Sequence, residues 1–386
     1  MSKSNKESNK IYLDYASGVM PNSSSIHEAG VQVKKKLEKM RAEVAELLFA
    51  RPNEIIFTSG GTESNNLAIQ GIVFTARNFK QKELPHIVTT NIEHASVFET
   101  CQMLKKRGLA EVSFVPVEKD GIVNPKKIIQ ALKKNTVLVS VMYANNEIGT
   151  IQPIREIAKE IRYYKKKQKR NNIFFHTDAV QAVNYLDLNV QKLGVDLLSL
   201  SGSKIENSGR VGLLYKRQSV SFENVFGGGD QEWGFRPGTE NVLAILQFCR
   251  ALIFTQKIKE KEKNRLIKLQ NYFFKKLKLL NFGDTLVING SLENRLPNNL
   301  NISFSNIPSD LLVLELSAKG IMASAKSACK SGDGKVSHVL KAIHPEMSET
   351  NGSLRFSMGR KTTQKEIDYT LKILAQILLK LKKWYT

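Results

Sequence analysis

Cysteine is scarce: the 386-residue chain holds three, Cys101, Cys249 and Cys329, at spacings that pair none of them. That excludes a disulfide framework and a thiolate zinc site, so any sulfur chemistry must come from a single thiol. Long apolar runs are missing too. No stretch nears the roughly 18 to 20 apolar residues that cross a bilayer, and the opening MSKSNKESNK has no apolar core of a signal peptide. A cytoplasmic protein with no membrane partner is the expectation. Acids are few beside bases: 36 Asp and Glu face 58 Lys and Arg, a net charge of +22. Such a surplus can serve nucleic acid or an anionic surface. However, the densest basic clusters, KKKQKR at 165–170 and KIKEKEKNR at 257–265, lack interleaved aromatic residues for base stacking. They read as solvated helix faces, which argues against nucleic acid.

What is present is a globular balance, with 41% hydrophobic and 24% charged residues, in a chain long enough for a large domain and a smaller one. From about residue 51 to 217, short apolar runs alternate with amphipathic helical stretches. EIIFT, HIVTT, VSFVPV, VLVSVMY, IFFHT, LLSL and VGLLYK read as strands, several of them nearly continuous in apolar or β-branched residues. Strands of that kind are covered on both faces by helices, the pattern of an α/β fold with a doubly wound, mainly parallel seven-stranded sheet. A long helical region over about 240–280 leads to LVING, LNISFS and GIMAS, read as short strands, and to a final helix, QKEIDYTLKILAQILLKLKKW. This part reads as a smaller α+β domain.

Ligands of such sheets sit beyond the carboxyl ends of the strands. After EIIFT comes SGGTESNNLAIQG, whose glycines and hydroxyls before a helix suit a phosphate or simply cap the helix. It is neither a P-loop nor a dinucleotide turn. After HIVTT comes His94, which is either catalytic or structural. After VLVSVMY come Asn145 and Asn146, which can bind a ligand or shape a turn. After IFFHT come Asp178 and Gln181, where the acid can also be a cap. After LLSL comes Lys204, behind Ser201 and Ser203. Together a phosphate loop, a carboxylate, an imidazole and a lysine suit pyridoxal phosphate better than a nucleotide.

The motifs SGGTESNN, EHASV, ANNEIGTIQPI, HTDAVQA, LSGSK, RPGTEN, SAC and SLRFSMGR occur in the order and near the spacings of the cysteine desulfurases. The chain therefore resembles that family, within the class V aminotransferase group of fold-type I pyridoxal phosphate enzymes, from about Ile11 onward. The resemblance implies cofactor binding by Gly61, Thr62, His94, Asn145, Asp178, Gln181, Ser201, Ser203 and Lys204. Within that set Lys204 forms the Schiff base, His94 stacks on the ring and Asp178 meets the pyridine nitrogen. Thr239 corresponds to a phosphate ligand donated by the neighbouring subunit of a homodimer. Asn145 and Arg355 would hold the substrate, L-cysteine, with Arg355 on its carboxylate.

Cys329, in KSACKSGDGKVSHVL, matches the catalytic thiol that takes up a persulfide, and Lys326 and Lys330 beside it favour the thiolate. Cys329, Lys204 and His94 make the implied catalytic set, with no metal. The implied reaction converts L-cysteine to L-alanine and passes sulfur to an acceptor such as an iron–sulfur scaffold protein, or toward tRNA thiolation. The expected domains are a tail at 1–10, a shortened N-terminal segment of the small domain at 11–50, the cofactor domain at 51–255, and the small domain at 256–386.

Departures from the family pattern leave alternatives open. Ser203 stands where a histidine is usual, ENSGR replaces Tyr-Gly-Pro-Lys-Gly, and Asp230 and Trp233 are unusual in GGGDQEWG. A helix expected between YLDYAS and NSSSIH is missing, and the chain stops at LKKWYT without a longer tail. A selenocysteine lyase or aminotransferase of the same fold is the alternative enzyme. A catalytically reduced relative that binds a partner is the alternative from another class.

Overall fold

The structure, a computed structural model, describes residues 11–78, 83–280, 286–325, 337–346 and 352–385. Its first sheet is built from β1 (Ile55–Thr58), β2 (His86–Thr90), β3 (Glu111–Val115), β4 (Thr136–Ser140), β5 (Phe174–Asp178), β6 (Leu197–Ser201) and β7 (Gly212–Lys216). The order across this seven-stranded sheet is β1-β7-β6-β5-β4-β2-β3. Only β7 runs against the rest, pairing antiparallel with both β1 and β6. Helices α1 (Glu28–Leu48), α2 (Gly61–Asn78), α3 (Ala95–Lys106), α4 (Pro125–Gln130), α5 (Ile154–Lys167) and α6 (Val190–Leu193) accompany it.

The near-continuous apolar strands are explained by their alternation between two cores. Val139, Leu198 and Leu213 point into a core shared with α1, α4 and α5, while their neighbours Leu138, Leu197 and Leu214 point into one shared with α2 and α3. Each fully buried Leu or Ile contributes about 1.5 to 3 kcal/mol relative to exposure, so both faces of the strands inside the sheet are held.

Helix α7 (Val242–Leu279) is the spine of the molecule: Ile245, Phe248 and Leu252 lie in the first core, and Leu266, Phe273 and Leu277 in a separate one. That second core packs β8 (Leu286–Ile288), β9 (Asn299–Phe304), α8 (Ser309–Ser317), β10 (Gly352–Ser357) and α10 (Gln364–Tyr385), with α9 (His338–Ile343) between α8 and β10 in the chain. Its three strands run in the order β10-β9-β8, all antiparallel.

Two details differ from the expectations, the strand expected at GIMAS and the core that α1 and α9 join, while the segment before α1 lacks a helix as expected. GIMAS is no strand: Gly320 turns at φ +78° after α8, and Ser324 alone bridges, to Arg355. The strand that does form there is β10, carrying Arg355. Helix α1, expected with the small domain, sends Leu37, Val44, Ala45 and Leu48 into the large core instead, as α9 does with Val339, Leu340 and Ile343. Between the short turn at Tyr15–Ser17 and the start of α1 at Glu28 there is no helix. There the Asp14 carboxylate accepts from Ser17 at 2.6 Å and Ser25 at 3.0 Å, and meets His27 at 3.1 Å.

Candidate active site

Because β1, β2, β4, β5 and β6 are mutually parallel, their carboxyl ends open on one edge. The winding reverses between β2 and β4, since β3 lies outside β2 while β4, β5 and β6 step the other way. Such a reversal leaves a crevice between the loops that follow the two strands.

The loop after β1 enters α2 at Gly61. A Cβ on Gly61 would lie 2.8 Å from Val180 Cγ2 and 3.3 Å from Ser201 Cβ, so only glycine lets this loop approach the ends of β5 and β6. The first main-chain bond there is Ser64 N to Gly60 O, at 3.0 Å. The N–H groups just ahead of it have no intrahelical acceptor and form an anion-binding end beside exposed Thr62. Glu63 pairs with Arg236 at 2.9 Å, tying the loop to RPGTEN and its exposed Thr239.

At the end of β5, Asp178 is buried. Its Oδ1 accepts from Val180 N at 3.0 Å and its Oδ2 from Asn65 Nδ2 at 2.7 Å. His94 caps α3: its Nδ1 accepts the Ser96 N–H at 3.1 Å and lies 2.8 Å from Ser96 Oγ. A main-chain N–H can only donate, so Nδ1 carries the lone pair and the proton of the neutral ring sits on Nε2. Asn65 Nδ2 also donates to Ser96 Oγ, at 2.8 Å. Neither Asn65 nor Ser96 stands out in the sequence, because polar residues near a helix start read as caps.

After β6, Gly202–Lys204 form one short turn. Ser201 Oγ and Ser203 Oγ lie 3.0 Å apart, Asn184 Nδ2 holds the Lys204 carbonyl at 2.6 Å, and the Lys204 side chain is exposed. Gln181 is half-buried. Asn145 is fully buried and its amide is spent on the turn: Nδ2 donates to Ile92 O at 2.9 Å, and Oδ1 accepts from Glu147 N at 2.8 Å and Ile148 N at 3.0 Å. Asn145 therefore spends its amide on shaping the loop. The neighbouring Asn146 is half-buried, and its carbonyl accepts from Arg355 Nη1 at 3.1 Å.

Arg355 reaches this edge from β10 with its Nε buried and unpartnered, and burial holds its guanidinium below the usual value. That orphaned donor calls for an anion. Cys329 lies outside the described residues.

Several buried titratable groups are structural. Burial pushes Glu93 up to about 8 and the imidazoles of His86 and His176 down to about 4 and about 3, which keeps both rings neutral. Cys249 is pushed up to about 12 by burial and Cys101 higher still, so both behave as core residues and not nucleophiles. Among the described residues no cluster of His, Cys, Asp or Glu could hold a metal.

Lys204 lines a cavity of about 390 Å³ with Asn184, Tyr185 and Arg360. Thr239 lines a different one, of about 210 Å³, with Ser59, Arg210 and Arg236. The unusual Trp233 has a local explanation: with Glu232 it takes left-handed backbone, held by Arg41. That arginine pairs with Glu232 at 2.7 Å and lies 4.8 Å from the indole.

The profile of the family "Aminotransferase class-V" matches residues 5–370. The chain belongs to this family. Within it, the chain is 40% identical to cysteine desulfurase IscS of Dictyoglomus turgidum over 97% of its own length and 95% of that protein. It is 42% identical to cysteine desulfurase IscS of Methanosarcina thermophila, over 98% and 90% of the two chains. Among solved structures, a NifS-like protein superposes with a TM-score of 0.82 at 35% identity, covering 93% of this chain and 92% of that one. The protein is thus a cysteine desulfurase that uses pyridoxal phosphate. The residues present fit that cofactor: Gly61 keeps the anion-binding helix end open, Ser201 and Ser203 add hydroxyls, Asp178 supplies a buried acid, and Lys204 supplies a free amine.

Proposed function

We propose that the desulfurase reaction runs at the edge shared by His94, Asp178 and Lys204, with Cys329 as the sulfur acceptor. One observation carries this reading: Arg355 keeps a buried, unpartnered Nε while its Nη1 meets the Asn146 carbonyl in the loop after β4, at the parallel edge. Gly61, Thr62, Ser201 and Ser203 hold the cofactor phosphate, while Asp178, His94 and Gln181 hold the ring. Bound there, pyridoxal phosphate supplies the electron sink that makes the substrate α-proton acidic and the β-carbon–sulfur bond labile.

Arg355 binds the carboxylate of L-cysteine and fixes which bonds of the α-carbon face the site. Lys204 takes the α-proton and returns a proton to the product. The thiolate of Cys329 attacks the substrate sulfur. A sulfur–sulfur bond forms, the carbon–sulfur bond breaks with its electron pair staying on the carbon skeleton, and protonation there yields L-alanine. Cys329 is left as a persulfide, which a protein thiol accepts for iron–sulfur assembly or tRNA thiolation. The net charge of +22 favours an acceptor with an acidic face. The buried, unpaired Cys101 and Cys249 suit a reducing compartment such as the cytoplasm.

The acting unit in this reading is a homodimer. Ile26, Leu13 and Val19 are 97%, 89% and 86% exposed, apolar side chains that a second subunit would cover. Thr239 and Lys204 line separate cavities of one chain, which supports Thr239 serving the partner's site. The test is L-cysteine turnover by Cys329→Ser. Alanine release should fall by roughly 100-fold or more, since the nucleophile is gone. Unchanged alanine release would sink the reading.

A further inference from the structure

Asn65 sits in the second turn of α2, 1% exposed, and points both of its amide hydrogens at residues that face the cofactor. One goes to Asp178 Oδ2 at 2.7 Å, the other to Ser96 Oγ at 2.8 Å, and Ser96 Oγ is in turn 2.8 Å from His94 Nδ1. The direction of every proton in this chain follows from the donors available. With Nδ1 of His94 accepting the Ser96 N–H, its lone pair also takes the Ser96 hydroxyl proton, and the hydroxyl oxygen then accepts from Asn65. Turning the Asn65 amide over would set its oxygen against the Asp178 carboxylate, so the orientation is forced. The same orientation leaves Asn65 Oδ1 buried without a partner. A buried orphan acceptor costs stability, and a sequence selected for stability alone would have no use for it.

We propose that Asn65 is a positioning residue that sets the Asp178 carboxylate for the ring nitrogen of pyridoxal phosphate and ties it through Ser96 to His94. It touches neither cofactor nor substrate. Asp178 Oδ1 is already held by the adjacent Val180 N–H, so Asn65 is what stops the carboxylate from rotating about that single anchor. This rests on the assignment of the edge as the cofactor site.

The test compares Asn65→Leu, which keeps the branched heavy-atom shape and removes both donors, with Ser96→Ala, which cuts only the branch to His94. The apoproteins are titrated with pyridoxal phosphate and with its analogue carrying CH in place of the ring nitrogen, following cofactor absorbance, with thermal unfolding of each apoprotein alongside. Asn65→Leu should bind pyridoxal phosphate at least about tenfold more weakly, the scale of one hydrogen bond to a charged group, and lose no more affinity for the analogue than Ser96→Ala does. Ser96→Ala should weaken both ligands equally.

Equal loss of both ligands in Asn65→Leu, or no loss of either, overturns the proposal while leaving the cofactor site intact. Wild-type protein that takes up no pyridoxal phosphate overturns the site assignment itself, and this proposal with it. Thermal unfolding separates the two effects, because a purely structural role moves the apoprotein midpoint and cannot distinguish two ligands that differ in one ring atom.

Discussion

Arg355 enters the site with Nη1 on the Asn146 carbonyl and Nε unpartnered, a planar donor set that a lysine cannot reproduce. Arg355→Lys should raise KM for L-cysteine by roughly 10- to 100-fold with a smaller change in kcat, because the lost bonds serve carboxylate binding. Steady-state kinetics over a wide substrate range checks the split, and a loss confined to kcat would argue against carboxylate binding. Glu93, beside His94, carries a second consequence. Burial raises its carboxyl from 4.5 to about 8 although Thr90 and the Met142 N–H donate to it. The folded state thus holds this proton more tightly than the unfolded chain, so its stabilising effect is full below about pH 4.5 and is lost as pH rises through about 8. Glu93→Gln should flatten the fall in urea midpoint across that window; an unchanged slope would assign the pH dependence elsewhere. Asp178, His94 and Lys204 stand out in the sequence because each lies at or within four residues of the end of an apolar strand run. Asn65 and Ser96 could not, and nothing in the pair Asn145 and Asn146 says which amide turns inward.

At the scale of elements, the approach of α2 to the ends of β5 and β6 depends on Gly61, where a Cβ would meet Val180 at 2.8 Å. Gly61→Ala should push the loop away from Ser201, cost about 1 to 3 kcal/mol of stability as overpacking does, and weaken phosphate uptake. Chemical denaturation together with cofactor titration measures both, and wild-type values in each would show that the close approach is dispensable. The strands of the large sheet were readable because both faces are buried, which makes their apolar runs continuous. The small domain was less readable. GIMAS has the apolar content of a strand, but Gly320 at φ +78° turns the chain there, and the pairing edge of β9 is taken by β10. The allegiance of α1 was hidden for a related reason: an amphipathic stripe shows that a helix is covered, not which core covers it.

For the whole molecule, the long helix α7 joins the two cores, so the cofactor edge and Arg355 belong to one connected framework. The proposed dimer makes a further prediction. Lys204→Ala and Thr239→Ala proteins, each impaired alone, should recover activity when unfolded together and refolded as a mixture. Random pairing leaves about a quarter of the sites with both native residues, if Thr239 serves the opposite subunit. Absence of recovery would place Thr239 in its own chain's site. The central claim, that sulfur moves from L-cysteine to Cys329, is tested most directly by a single turnover. Cofactor-loaded protein is mixed with less than one equivalent of L-cysteine, alanine is quantified, and the Cys329 peptide is weighed by mass spectrometry without reductant. The expected result is one alanine per sulfur atom added to Cys329, with Cys101 and Cys249 unmodified. Alanine formed with no sulfur on Cys329, or sulfur carried by another residue, would contradict it.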